Sequence, residues 1–513
     1  MNHGFPWVSV LGAIPLLGLL GVAALPSGRD EDAKRVALGA SLLTLVASIV
    51  MAAQFSTTGK RFQFTQDYDW IKAFGAHYAV GVDGIALVLI LMTTVLTPVI
   101  VLASWHEAAE GSRSVKTFFA LLLATETIVI GVFGSLDVFL FYVLFEAMLI
   151  PIYFLIGSYG GARRSYAAVK FLLYSLAGGL LMLVAVIALY FAGKHTFDYR
   201  SLVAGDLHLS HGEQVALFLG FFIAFAIKAP LWPFHTWLPD AAAEAPTGVA
   251  VMLVGVLDKV GTFGFLRFCL PLFPYAARTL APYVLGLCVA GILYGALLAI
   301  GQRDMKRLVA YSSVSHFGFI ALGVFAFTSQ GGSGATLYMV NHAFSTGALF
   351  LVVGFLASRR GSRVIDDFGG AAKVAPWLGA MVLLAGLSAL SLPGLSTFVS
   401  EFLVLVGTFT THRWFAVVAT FGIVLGAVYV LWLVQRTIHG PVREGVQGFR
   451  DLGAREAWVI APVMAVIVVL GIYPKPILDA INPAVKSTIA PVRAHDPAPT
   501  VSTNGPLLIA RNK

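Results

Sequence analysis

The chain has 513 residues, of which 58% are hydrophobic and only 12% charged, and its mean hydropathy is +0.85. Soluble globular domains carry roughly twice that share of charge, so this composition excludes a set of soluble domains and predicts an integral membrane protein. The net charge of +8 falls largely in short loops and at span ends, which excludes nucleic-acid binding as its purpose and assigns it to membrane orientation.

A helical span needs roughly 20 apolar residues to cross about 30 Å of hydrocarbon, and such runs recur along nearly the whole sequence. The first, 7–25, lacks a basic region before it and a small-residue cleavage site after it, so it reads as a retained span and not a cleaved signal. The next two are 36–55 and 84–104, followed by 115–134, 136–157 and 167–192. The seventh, 214–240, contains Pro230, Pro233 and Pro239. Then come 247–273, 279–300, 305–327 and 334–357. The twelfth, 375–410, is too long for one straight crossing and is interrupted at Leu392, Pro393 and Gly394. The last two are 414–436 and 455–473, and a tail rich in Pro, Ala and polar residues ends the sequence. The expected fold is all-α and polytopic, with about 14 transmembrane helices in a single membrane domain over 1–513.

An even number of crossings puts both termini on one side. Loops bearing Arg29, Lys34, Arg35, Arg163, Arg164, Arg303, Arg307, Arg359, Arg360 and Arg443 lie on one side and hold the larger share of the 34 Lys and Arg. The positive-inside rule places that side in the cytoplasm. Both termini then face the periplasm of a bacterium, with the chain in the inner membrane. Four basic residues fall inside spans: Lys170, Lys228, Lys259 and Arg267. A charge at mid-membrane costs roughly 2.5–3.5 kcal/mol even on the lenient insertion scale, so these positions need an explanation.

Glu146 sits near the middle of the fifth span, where an ionised carboxylate requires a partner. Lys228 stands beside Pro230 and Pro233, whose missing amides and ring clashes strip the carbonyls of Ala226 and Ala229 of helical partners. Irregular backbone is tolerated at membrane depth only inside protein or beside a water-filled cavity. Lys259 lies about twelve residues into the eighth span, roughly 18 Å along a helix. Asp258 adjoins it, but consecutive helical residues do not face each other, which leaves Asp258 to a different partner. His316 shares a face with Ser312, and His342 shares one with Ser345 and Thr346; imidazoles with hydroxyl neighbours suit a proton relay near neutral pH. Glu401 follows the break in the twelfth span by seven residues. Glu126 in the fourth span is a further buried carboxylate, and His235 and Asp240 are placed to admit protons from the cytoplasm. Structural ion pairs and packed histidines are the competing explanations for each of these groups.

The sequence has no P-loop, no G-x-G-x-x-G after a strand and no C-x-x-C. Cys269 and Cys288 both lie within spans. The stretch 106–110 (HEAAE) lacks the second histidine of a zinc motif, and His208 with His211 is too small a set to hold a metal. No metal or cofactor site is expected in this chain.

The seventh and twelfth spans are both interrupted, both carry an ionisable residue and lie five crossings apart. An odd offset inverts topology, so the pattern predicts two inverted five-helix repeats, helices 4–8 over 115–273 and helices 9–13 over 279–436.

At residues 226–247 (AIKAPLWPFHTWLPDAAAEAPT) the sequence resembles the signature of the antiporter-like membrane subunits of respiratory complex I, the NADH–quinone oxidoreductase. Phe145 with Glu146 and residues 311–316 (YSSVSH) agree with it. Glu401 stands where sister subunits usually have lysine, and no long C-terminal lateral helix follows. The resemblance implies a proton-translocating subunit. Glu146 would pair with Lys228 and control its proton affinity, Lys259 would be the central carrier, and His316 and His342 would link it to Glu401 near the outward exit. It further implies that NADH, FMN, iron–sulfur clusters and quinone belong to other subunits, and that the partners are adjacent antiporter-like and other membrane subunits of the complex, protons and the lipid bilayer. A cation/proton antiporter subunit, a membrane subunit of a hydrogenase-type complex and a purely structural scaffold are the alternatives.

Overall fold

The computed structural model describes residues 5–107 and 113–493. Residues 108–110 of the HEAAE stretch, and tail residues such as Arg511, lie outside it. Thirteen described helices are long and apolar enough to cross a membrane. They are Trp7–Ala24, Asp30–Gln54, Gly84–Ala103, Val115–Gly134, Val138–Tyr159, Arg164–Ala192, His211–Lys228, Thr247–Leu272, Pro274–Ile300, Met305–Val324, Ser329–Arg360, Arg413–Ile438 and Ala454–Ile472. The remaining crossing, twelfth in order, is made by two shorter apolar helices, Pro376–Ala389 and Ser396–Thr411. The chain is a multi-pass membrane protein, and the expected span count holds.

Sequence chemistry sorts these spans between rim and centre. The sixth and thirteenth present rows of bare aliphatic and aromatic side chains, Leu173, Leu180, Val184, Phe421, Val424 and Leu431 among them, as a lipid- or subunit-facing surface requires. The eighth and eleventh are buried along the whole of their apolar windows. These central helices also hold many of the polar residues (Asp258, Lys259, Thr262, Asn341, His342, Ser345 and Thr346) that join helices where lipid offers no hydrogen bond.

Both expected interruptions are present. The seventh crossing stops at Lys228, and a short helix, Trp237–Glu244, resumes it. The twelfth breaks between Ala389 and Ser396, where Gly394 has φ +92 and even Ser391 is left-handed at φ +61. Two irregularities have no counterpart in the sequence reading. The eighth span contains π-helical turns at Leu253–Leu257 and Phe265–Cys269. Between the second and third spans the chain forms an antiparallel hairpin, β1 Gln63–Ile71 and β2 Ala76–Val82, the one sheet among the described residues.

The hairpin end is held by charge. Asp83 caps the third span, accepting from Ala86 N at 3.0 Å. It is fully buried and lies 2.9 Å from Arg267 of the eighth span and 3.6 Å from Arg61. Burial drives the Asp83 carboxyl up, but Arg267 and then Arg61 outweigh it and hold the group below the usual 3.8. Arg61 also donates to Ser487 at 3.0 Å and Thr488 at 2.8 Å. Those residues belong to a C-terminal helix, Lys475–Ile489, which covers this end and is bonded to the eleventh span through Asn482 and Ser333 at 2.7 Å.

Candidate functional site

The four in-span bases divide into two kinds. Lys170 lies 2.7 Å from Asp240, which Arg307 also contacts at 2.6 Å, and Arg267 is paired with Asp83. These two are structural ion pairs near span ends. Lys228 and Lys259 have no carboxylate within salt-bridge distance among the described residues, although Lys228 is 1% exposed and Lys259 0%. The uncompensated positive groups are therefore the two at the centre.

Lys228 ends the first half of the seventh span. Its ammonium rests over the rings of Phe145 and Phe171, 5.2 and 5.3 Å from their centroids, and has no hydrogen-bond partner among the described residues. Glu146 interacts with it electrostatically without touching it. The Glu146 carboxylate lies instead against Gly179 of the sixth span, where a Cβ would come within 1.8 Å of Oε1; only glycine leaves that place open. Glu146 and Lys228 are thus neighbours held apart.

Lys259 begins a line of polar groups with one unbonded step, between His342 and His316. Its Nζ donates to Val254 O at 2.5 Å and meets His342 Nδ1 at 2.7 Å, with the Phe317 ring 4.7 Å away. The π-helical turn just before it leaves the Val254 carbonyl, five residues back, free for the ammonium. His342 Nε2 faces Ser313 Oγ at 3.0 Å, and its ring centroid is 5.5 Å from that of His316. His316 Nδ1 lies 2.7 Å from Tyr338 OH, and Tyr338 OH is 3.4 Å from Glu401 Oε2. Ser391, in the break of the twelfth span, donates to the same Glu401 oxygen. A cavity of about 10 Å³ for water-sized spheres, lined by Ser315, His316, Glu401 and Tyr429, has room for about one water.

The structure therefore brings Lys259, His316, His342 and Glu401 into one chain of contacts and sets Glu146 and Lys228 together at its other end. It changes the expected hydroxyl partners. His342 uses Ser313 of the tenth span instead of Ser345 or Thr346, and His316 uses Tyr338 instead of Ser312, which bonds back to Val309 O at 2.8 Å. Tyr338 went unremarked in the sequence, although it lies one helical turn from His342 on the same face. Ser391 had no local signal, because its position depends on a left-handed backbone. Glu126 is fully buried away from this line. His235 is 2% exposed and packs on Tyr294 at 5.2 Å, and Asp240 is occupied by its two cations. His211 stacks on Tyr275 with centroids 3.7 Å apart.

Broken helices flanking buried titratable groups define the class of antiporter-like ion-translocating membrane subunits. The profile of the family described as "NADH:quinone oxidoreductase/Mrp antiporter, TM" matches residues 135–426. NADH-quinone oxidoreductase subunit M of Mycobacterium tuberculosis is 51% identical over 98% of this chain and 97% of its own. The protein of that name from Rhodobacter capsulatus is 41% identical over 93% and 95%. A chain of respiratory complex I from Thermus thermophilus superposes with a TM-score of 0.86 at 31% identity, covering 94% of this chain and 99% of that one. A chain of the Mrp complex from Dietzia has the same fold, with a TM-score of 0.83 at 20% identity over 95% and 98%. The chain belongs to the NADH:quinone oxidoreductase/Mrp antiporter membrane family.

Proposed function

We propose that this protein is the proton-translocating membrane subunit of an NADH–quinone oxidoreductase, standing where subunit M stands in its bacterial relatives. Lys228 receives a proton at the break in the seventh span, under the control of Glu146. Lys259, His342, His316 and Glu401 then carry it through the centre of the chain to the hairpin side. NADH, FMN, the iron–sulfur clusters and quinone belong to other subunits, and this chain performs no redox chemistry of its own. Its neighbours are other membrane subunits of the complex, antiporter-like ones among them. The loop charges support a bacterial cell membrane location with both termini periplasmic. The two matching interruptions support inverted repeats over 115–273 and 279–436.

One observation carries this reading: Lys259 is bonded to His342, and His316 through Tyr338 to Glu401, with the two imidazole centroids 5.5 Å apart between them, in a core that lipid cannot reach. The energies agree. Moving one charge against roughly 200 mV costs about 4–5 kcal/mol, and breaking a buried ion pair is worth about 3–5 kcal/mol. Closing the gap between Glu146 and Lys228 into an ion pair and opening it again is thus a step of the right size. The test is Lys228→Ala or Glu146→Ala in the assembled complex. Proton pumping driven by NADH should fall at least about tenfold while assembly persists; pumping at the wild-type rate in both variants overturns the proposal. A cation/proton antiporter subunit is the second reading, favoured by the shared fold of the Mrp chain, and sodium transport coupled to protons in vesicles would establish it.

A further inference from the structure

We propose that Asp258 is a proton-transferring carboxylate between Lys228 and Lys259, and the second partner that Lys228 takes when it leaves Glu146. The inference rests on the proton-translocation reading above.

Geometry turns Asp258 about 100° around the helix from Lys259 and its contacts. Residues 258–264 are α-helical, so Asp258 and Gly261 lie on one face, with Gly264 at its flank. At Gly261 a Cβ would meet Ala229 N at 2.5 Å and Phe225 O at 2.6 Å, and at Gly264 it would meet the Phe225 ring at 2.5 Å. That face of the eighth span is therefore pressed against the last turn of the first half of the seventh. Asp258, one turn earlier along it, faces the break beside Lys228. Lys259, one residue on, turns aside to His342. Two consecutive residues thus address two different helices.

The bonding supports transfer. Asp258 is 0% exposed and neither carboxylate oxygen has a hydrogen-bond partner among the described residues; the same holds for Lys228 Nζ and Glu146 Oε1. Leaving a buried polar group unmet is unfavourable, so this trio has complementary donors and acceptors in reserve. Asp258 interacts electrostatically with both lysines, and Lys228 with both Glu146 and Asp258. The titratable groups on the elements around Asp258 are Lys228 with Glu146 behind it, Lys259 with His342 and His316 behind it, and Glu126 of the fourth span.

The steps balance as proton movements alone. The Lys228 ammonium gives one proton to the Asp258 carboxylate, leaving an amine and a neutral acid. The acid passes that proton to the Lys259 amine, forming an ammonium and restoring the carboxylate. Lys228 is reprotonated through the break at 229–236. With Glu146 and Asp258 both ionised, the site is neutral with both lysines charged; without Asp258 it would hold one cation in excess.

The experiment compares Asp258→Asn, Asp258→Glu and Lys228→Ala in the complex purified with its native subunits and reconstituted in liposomes. Pumping by D258N should fall at least about tenfold at pH 8, the loss expected for roughly 1.4 kcal/mol. The loss should shrink toward pH 6, because protonated Lys259 has lost its counter-charge and the alkaline limb of the profile moves to lower pH. D258E should recover pumping to within a few-fold of wild type. An assembled D258N with an unmoved profile overturns the proposal, as does an assembled D258E no better than D258N, or failure of both to assemble, which marks a packing residue. Loss in K228A beside full pumping in D258N rejects this inference alone, whereas full pumping in K228A rejects the function on which it rests.

Discussion

Lys228 and Lys259 differ from Lys170 and Arg267 in partnership more than in burial, since Arg267 is as buried as Lys228. A paired cation is fixed by its carboxylate, whereas Lys228 on its aromatic rings has no counter-charge in contact to hold its proton, and Lys259 touches an imidazole that can accept one. In the proposed relay His342 is the acceptor for Lys259 and the step toward His316, so His342→Ala should interrupt it at its start. Hydrogen bonds to charged groups are worth about 1.5–3 kcal/mol, and pumping per NADH oxidised should fall about ten- to hundredfold in reconstituted vesicles. A variant that pumps normally would route protons elsewhere. At this scale the sequence revealed the six central titratable groups, because a charge in an apolar run stands out. Their bonding was harder to read: helical spacing shows which residues share a face, not which neighbouring helix that face meets. Ser313 replaces Ser345 for that reason.

Among the elements, the interrupted spans were legible because proline leaves a mark. Pro230, Pro233 and Pro393 remove amides that the helix needs. The π-helical turns were not legible, since no residue type enforces an i to i+5 bond and the turn at Leu253–Leu257 is spelled LVGVL. The hairpin was missed for a different reason. Phe64, Tyr68 and Trp70 alternate with polar residues along β1, the pattern of a strand, but that short run lies in a loop between two long apolar spans that dominate the hydropathy. The π turn in the eighth span can be tested by removing its extra residue. Deleting Gly255 closes the bulge into plain α-helix, which gives the Val254 carbonyl a backbone partner and takes it from Lys259 Nζ. Such a protein should insert and assemble yet pump at least about tenfold more slowly in the same vesicle assay. Undiminished pumping would show that the register is immaterial.

For the molecule as a whole, hydropathy and span length carried most of the architecture, because the bilayer demands long apolar helices. What they could not carry was the bracing of the hairpin end, whose partners lie far apart in sequence. Arg267→Ala leaves the Asp83 carboxylate facing Arg61 alone in a buried site, and removing one member of a buried pair costs about 3–5 kcal/mol. The melting temperature of the detergent-solubilised complex should drop, and the double variant with Asp83→Asn should recover part of the loss. The sign with pH follows from Asp83 being held below its usual value. Its stabilisation is complete above about pH 4, the unfolded carboxylate value, and fades as pH falls through the lower folded value. The melting gap between wild type and the double variant should stay constant from pH 7 to 5 and close only below pH 4. A gap that narrows above pH 5 would assign the stability to another group.

The helix Lys475–Ile489 has a consequence for how the protein is made. It is the final described element to leave the ribosome, yet its Ser487 and Thr488 receive Arg61, and its Asn482 receives Ser333 of the eleventh span. All fourteen crossings can therefore be threaded into the bilayer while one face still stands open. Emergence of residues 475–489 then acts as the closing event of assembly, and a chain truncated near residue 474 would be inserted but unclasped.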